Sequence, residues 1–139
     1  MYVRYVRTAA CATLLMVLMA PAFAAQPQGR LQGLVSQANT DAPLTATFNS
    51  GTVLLHFGPE LSCDATAVFL KEADGEVVYR VNRAKSTGGF CDRIQAAGKD
   101  TTDIRFKAKD ARKWSIHFDS MKASLINHWS GQLEPVAAP

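Results

Sequence analysis

From Leu44 onward, apolar and polar residues alternate in short runs broken by Gly, Asn, Asp and Pro. A period of two is the pattern of half-buried strands. Leu44 to Phe48 and Thr52 to Phe57 flank Asn49-Ser50-Gly51, with Gly51 placed for the positive φ of a three-residue hairpin loop. Gly58-Pro59 ends the second run. Ala67 to Glu72 and Glu76 to Val81 flank a two-residue Asp74-Gly75 turn, which pairs Glu72 with Val77, Leu70 with Tyr79 and Val68 with Val81. The last two pairs put four apolar side chains on one face. Phe69 opposite Arg80 and Lys71 opposite Val78 make the other.

Ile104, Phe106 and Ala108 alternate with Arg105, Lys107 and Lys109. Trp114, Ile116 and Phe118 alternate with Ser115, His117 and Asp119. The odd loop Asp110-Ala111-Arg112 pairs Ala108 with Trp114, Phe106 with Ile116 and Ile104 with Phe118. A two-residue loop would set the apolar faces on opposite sides, so it is rejected.

The two flanks of this region are ambiguous. Leu31, Leu34, Val35 and Ala38 have helical spacing, whereas Leu31, Gly33 and Val35 suit an edge strand. Met121, Leu125 and Trp129 fit a helix capped by Asp119 and stopped by Gly131. The alternation from Met121 to Trp129 fits a final strand with a Gly bulge, which is favoured.

The expected fold is mainly β. It is a single small antiparallel β-sandwich or β-barrel of six to seven strands, with room for a short N- or C-terminal helix. The expected core is Val53, Leu55, Phe57, Val68, Leu70, Tyr79, Val81, Ile104, Phe106, Trp114, Ile116 and Phe118. Along the chain, 1–24 is expected as a signal peptide, 25–43 as a polar leader, 44–135 as the β domain and 136–139 as a disordered tail.

The front of the chain sets the compartment. Arg4 and Arg7 precede the uncharged run Ala9 to Ala20, Pro21 breaks it, and Ala22-Phe23-Ala24 fits a small-x-small cleavage pattern. Ala20-Pro21-Ala22 offers a second cut. The apolar run is well short of the roughly 20 residues of a membrane span. Its alanine-rich, Arg-led style is bacterial, so a periplasmic or secreted destination is expected. Cys11 is followed rather than preceded by most of the apolar run, which argues against a lipoprotein.

Removing the first 24 residues changes charge and cysteine count together. Two of the fifteen Lys and Arg go, leaving thirteen against twelve Asp and Glu, so the formal charge falls from +3 to about +1. Near-neutrality argues against a general nucleic-acid binder. Of three cysteines, Cys63 and Cys91 remain, and an even pair in an exported domain is most simply a disulfide. Closing a loop of about 29 residues is worth about 3.6 kcal/mol in the chain-entropy picture. With Cys63 before one strand and Cys91 after its partner, the bridge is expected to close the open end of the Asp74-Gly75 hairpin.

Strand geometry decides among the candidate chemistries. Ser115, His117 and Asp119 hold the residue types of a hydrolase triad, but on one strand face they stand about 6.8 Å apart per step, too far for hydrogen bonds. His56, His117 and His128 lack partners at metal-ligand spacing. Among the carboxylates Glu60, Asp64, Glu72, Glu76 and Asp92, only Asp64 and Asp92 are drawn together, each following a bridged cysteine; that adjacency alone is no glycosidase pair. No enzyme, metal or cofactor is expected.

Two surfaces remain as binding candidates. One is the basic face Arg105, Lys107 and Lys109 with Arg112 and Lys113 at the hairpin tip, suited to an anionic lipid, glycan or acidic protein. Lysines there would also discourage edge pairing. The other is the loop Thr87, Gly88, Gly89 and Phe90 beside Cys91, unless Phe90 is buried against the bridge. The function expected is that of an exported bacterial binding protein, such as an inhibitor or immunity-type partner of another protein. The alternative is a binder or carrier of an anionic envelope component through the basic hairpin.

Overall fold

The computed structural model describes residues 26–86, 89–95 and 102–137. The expected signal peptide, Thr87, Gly88 and residues 138–139 lie outside these.

The chain forms a closed antiparallel barrel of eight strands in sequence order. The strands are β1 (Arg30–Gln37), β2 (Thr40–Asn49), β3 (Thr52–Phe57), β4 (Cys63–Ala73), β5 (Glu76–Ser86), β6 (Asp103–Ala108), β7 (Trp114–Lys122) and β8 (Leu125–Pro135), with the short helix α1 (Phe90–Gln95) between β5 and β6. The mainly β fold with one disulfide holds, in its barrel form. The extra strands come from the flanks. Residues 30–43, expected as a polar leader, supply β1 and the start of β2, and 125–135 is a strand. β1 reads as polar because its outward positions are Gln32, Leu34 and Ser36, while Leu31 and Val35 point into the core.

β1 closes the barrel against β8, from Leu31 opposite Pro135 to Ser36 opposite Ser130. This seam needs two glycines. A Cβ on Gly33 would fall on the Gln132 carbonyl oxygen, and one on Gly131 on that of Leu34. Gly131 is therefore not a bulge: it pairs regularly with Val35 and Ile116, and its missing side chain lets the two backbones coil closely past each other.

The hairpins refine the expected registers. Ser50 and Gly51 both have positive φ (42° and 84°), and Asn49 pairs with Thr52, so this loop has two residues, not three. The β6–β7 register is the expected one, with Ala108 opposite Trp114 and Phe106 opposite Ile116. The Asp74-Gly75 hairpin begins as expected, with Glu72 opposite Val77 and Lys71 opposite Val78, and then shifts by one residue. Leu70 has no partner in the ladder, Phe69 pairs with Tyr79, and Ala67 pairs with Val81. One extra residue on β4 reverses the side chains that follow it on that strand, until an extra residue on β5, Asn82, restores the original pairing at Thr66 and Arg83. Val68 and Leu70, expected in the core, are therefore outside and 38% and 39% exposed. Phe69, expected outside, packs against the core instead.

Side chains fill the interior. Small residues on β2 and β4 (Ala42, Ala46, Ala65, Ala67) sit among large ones from the other strands. Two aromatic clusters organise the ends. Phe48, Phe69 and Phe106 meet Tyr79 edge-on, with ring centroids 5.6, 5.9 and 5.7 Å away. At the other end Phe57 meets Phe90 and Phe118 at 5.2 and 5.7 Å, and Trp129 meets Phe90 at 5.2 Å. Such offset geometry suits the ring quadrupoles. The Trp129 indole N–H donates to Ser120 Oγ at 2.9 Å, so its polar atom is satisfied within the core.

Each end has a cover. Residues 26–29 cross the Tyr79 end: Pro27 is buried, the Gln26 side-chain amide donates to Glu72 Oε1 at 3.4 Å, and Phe48 N–H donates to the Gly29 carbonyl at 2.8 Å. Helix α1 closes the Trp129 end with Phe90, Cys91 and Ile94 buried. The Cys63–Cys91 bridge is present, with Cα atoms 5.7 Å apart. It does not close the strand pair itself, because Cys63 lies opposite Ser86 in the ladder; it ties the first residue of β4 to the helix.

Candidate functional site

The basic hairpin is brought together by β6 and β7, but its charges do not stand alone. Arg105 Nη1 lies 3.5 Å from Glu76 Oε2, and His117 Nε2 lies 3.6 Å from Glu76 Oε1, so one carboxylate serves both. Lys113 Nζ lies 3.8 Å from Glu134 Oε1. Asp110 shapes the loop: its Oδ1 accepts the backbone N–H groups of Arg112 and Lys113 at 2.8 and 3.0 Å. That leaves Lys107, Lys109 and Arg112 exposed without a carboxylate partner among the described residues.

The loop candidate divides. Phe90 is 3% exposed and packed between Phe57 and Trp129, so it belongs to the core at the Trp129 end and not to a recognition surface. Gly89 is half-buried, with φ 78°. Cys91 Sγ lies 3.2 Å from the Asp64 carbonyl oxygen, which places the bridge against β4.

The three residues of triad type are each held by a different neighbour. Ser115 Oγ donates to the Lys107 carbonyl at 3.3 Å, His117 faces Glu76, and Asp119 Oδ1 lies 2.6 Å from His128 Nδ1. His56 Nδ1 lies 2.6 Å from Asp64 Oδ1 in the same cross-strand manner. His56 and His128 thus face a carboxylate on the adjacent strand, and His117 faces one two strands away, on β5. Among the described residues no group of three or more His, Cys, Asp or Glu side chains converges as a metal site would require.

The outer face holds a feature that residue types alone do not reveal. A groove of about 460 Å³ crosses β8, β1 and β2, bordered by Gln32, Leu34, Pro43, Thr45, Gln132 and Glu134. A second depression of about 360 Å³ lies under Arg112 and Lys113 and shares Glu134 and Pro135 with the first. The alternation of β1 is its only trace in the sequence. A leucine at position 34 in an outward phase is the signal, and it shows only once Leu31 and Val35 are assigned inward. Leu34 is 55% exposed.

The buried interior is almost wholly apolar, whereas the interior of a lipid-spanning barrel is polar. Among the described residues no helix is long and apolar enough to cross a membrane. Comparison with protein-family models, curated proteins and solved structures finds no match to this chain.

Proposed function

We propose that the protein is an exported binding protein that docks its outer surface on another protein. The observation that carries this reading is the filled interior. Among the described residues Tyr79, Phe57, Phe106 and their neighbours fill the lumen of the eight-stranded barrel, which argues against a ligand held inside it. Recognition then falls to the outside, where the groove over β1 and the adjoining basic tip offer shape and charge together. The bridge suits an oxidising compartment, and the front of the chain has the pattern of a cleaved signal.

The test expresses the whole chain in a bacterium with a photo-reactive residue at position 34 or, as a control outside the groove on β3, at position 54. The exported form should begin at residue 23 or 25 by intact mass. Irradiation should give one discrete, stoichiometric adduct from position 34 and none from position 54. An uncleaved cytoplasmic chain, or equal diffuse labelling from both positions, would count against the reading.

A second reading is favoured by the three cations of the basic hairpin that have no carboxylate partner among the described residues. Lys107, Lys109 and Arg112 would bind an anionic envelope component. Co-sedimentation with anionic-lipid vesicles should then fall on changing all three to Glu. Sedimentation unchanged by the triple variant removes this reading.

A further inference from the structure

Across the β8–β1–β2 seam the outward side chains form two transverse rows. Glu134 pairs with Gln32 and Gln32 with Thr45; two residues along, Gln132 pairs with Leu34 and Leu34 with Pro43. Between the rows lies Gly33, paired with Leu133 on one side and Leu44 on the other. Both leucines are buried, so the strip between the rows is backbone alone. The groove is this strip. Its floor is fixed by the close backbone approach that excludes any side chain at 33. One rim is polar and the other is largely apolar. The cationic tip closes the β7 end, because Lys113 stands beside Glu134.

We infer that this groove binds an extended peptide segment with a carboxylate at one end, either an acidic side chain or a free C-terminus. Its dimensions fit: from β7 to β2 is three strand spacings, about 14 Å, the length of about four extended residues. The chemistry fits as well. Gln32 and Gln132 face each other from opposite rims, and each amide can both donate to and accept from a peptide backbone. Leu34 and Pro43 offer apolar contact to alternate side chains. Aromatic residues, on which a sugar ring would stack, are missing from the groove's lining. Glu134 is engaged with Lys113, whereas the Arg112 guanidinium has no carboxylate partner among the described residues and is free to take the ligand's carboxylate through two parallel N–H bonds.

The inference rests on the reading that the outer surface does the binding, and names what it binds. The probe is an array of random ten-residue peptides, each made with a free and an amidated C-terminus, incubated with the purified exported protein. Bound peptides should share a carboxylate, of an acidic side chain or of the C-terminus, with apolar side chains within about four residues of it. For the best peptide, Arg112→Glu should weaken binding about tenfold or more. Leu34→Glu should abolish it, and Leu54→Glu should leave it unchanged, with all three variants keeping the wild-type circular dichroism. Binding without a shared carboxylate, or binding indifferent to Arg112 and Leu34, would overturn the inference. If the array selects nothing while position 34 still crosslinks a folded partner, the peptide inference fails and the docking reading stands. If peptides bind with the expected dependence but no adduct forms in cells, the reverse holds.

Discussion

Tyr79 is where one end of the barrel converges. It is 1% exposed and touches three phenylalanine rings. Burial, with a smaller contribution from the Glu72 carboxylate, raises its pKa above the usual 10.0. The sign of the consequence follows from linkage. The unfolded tyrosine ionises near pH 10, while the folded one resists until higher pH. Its contribution to stability is therefore whole below pH 10 and lost as pH rises through the folded pKa. Urea unfolding between pH 8 and 11.5 should show stability falling from about pH 10. Tyr79→Phe should remove that component, and an identical decline in the variant would show that other groups cause it. Tyr79 is the only tyrosine after Tyr5, so in the cleaved form its titration can be followed by absorbance without interference from a second phenol. Its inward position was legible from alternation alone, as were those of Val53, Leu55, Phe57, Ile104 and Ile116. Gly33 and Gly131 were not, because the backbone they must avoid belongs to a strand about a hundred residues away.

At the scale of elements, the segment from Cys63 to Cys91 shows what alternation and turn chemistry can and cannot carry. Both strands, the Asp74-Gly75 turn and the bridge were legible, and so was the register next to the turn. The Leu70 bulge was not. Phe69 and Leu70 are both apolar, so nothing local decides which one faces in; the match to Tyr79 and its ring neighbours decides it. Helix α1 was also hidden, since six residues hold only one i, i+4 apolar pair, Phe90 and Ile94, well below the window in which helical period can be recognised. A helix this short has no stability of its own. Its order depends on three buried side chains and the crosslink. Replacing both cysteines by alanine should lower the unfolding free energy by about 3.6 kcal/mol, the chain-entropy value for this loop. Hydrogen exchange should locate the effect. Amides of 90–95 should gain exchange far more than those of β2 and β3, because the helix can lift while the ladder stays paired. Uniform acceleration across the barrel would mean that the bridge serves global stability without holding the plug.

At the scale of the molecule, the decisive contact joins the two flanks of the chain. A meander of hairpins was legible as a class, yet six or seven strands leave the sheet open, and only β1 and β8 close it. A polar outward face and an ambiguous period disguised β1, and β8, favoured as a final strand, gave no sign that β1 is its partner, although their inward residues Leu31, Val35, Trp129 and Leu133 are core. Closure also creates the groove, which lies on the seam itself, so the candidate site could not be seen before the seam was. The dependence can be tested by ending the chain at Trp129. Six residues of β8 pair with β1, Ser130 to Pro135, and all are lost. β1 would become a long exposed edge, Trp114 to His117 of β7 would lose their partners, and Leu31, Val35 and Ile116 would open to water. Burial of three such side chains is worth about 1.5–3 kcal/mol each, comparable to the whole stability of a small domain. The truncated chain should therefore show no cooperative urea transition and should associate through its edges. Adding a synthetic peptide of residues 125–137 should restore a cooperative transition by completing the sheet, as strand addition does elsewhere. Cooperative unfolding of the truncated chain by itself would mean that β2 to β7 form an independent open sheet, and that the seam, with its groove, is an addition the fold does not require.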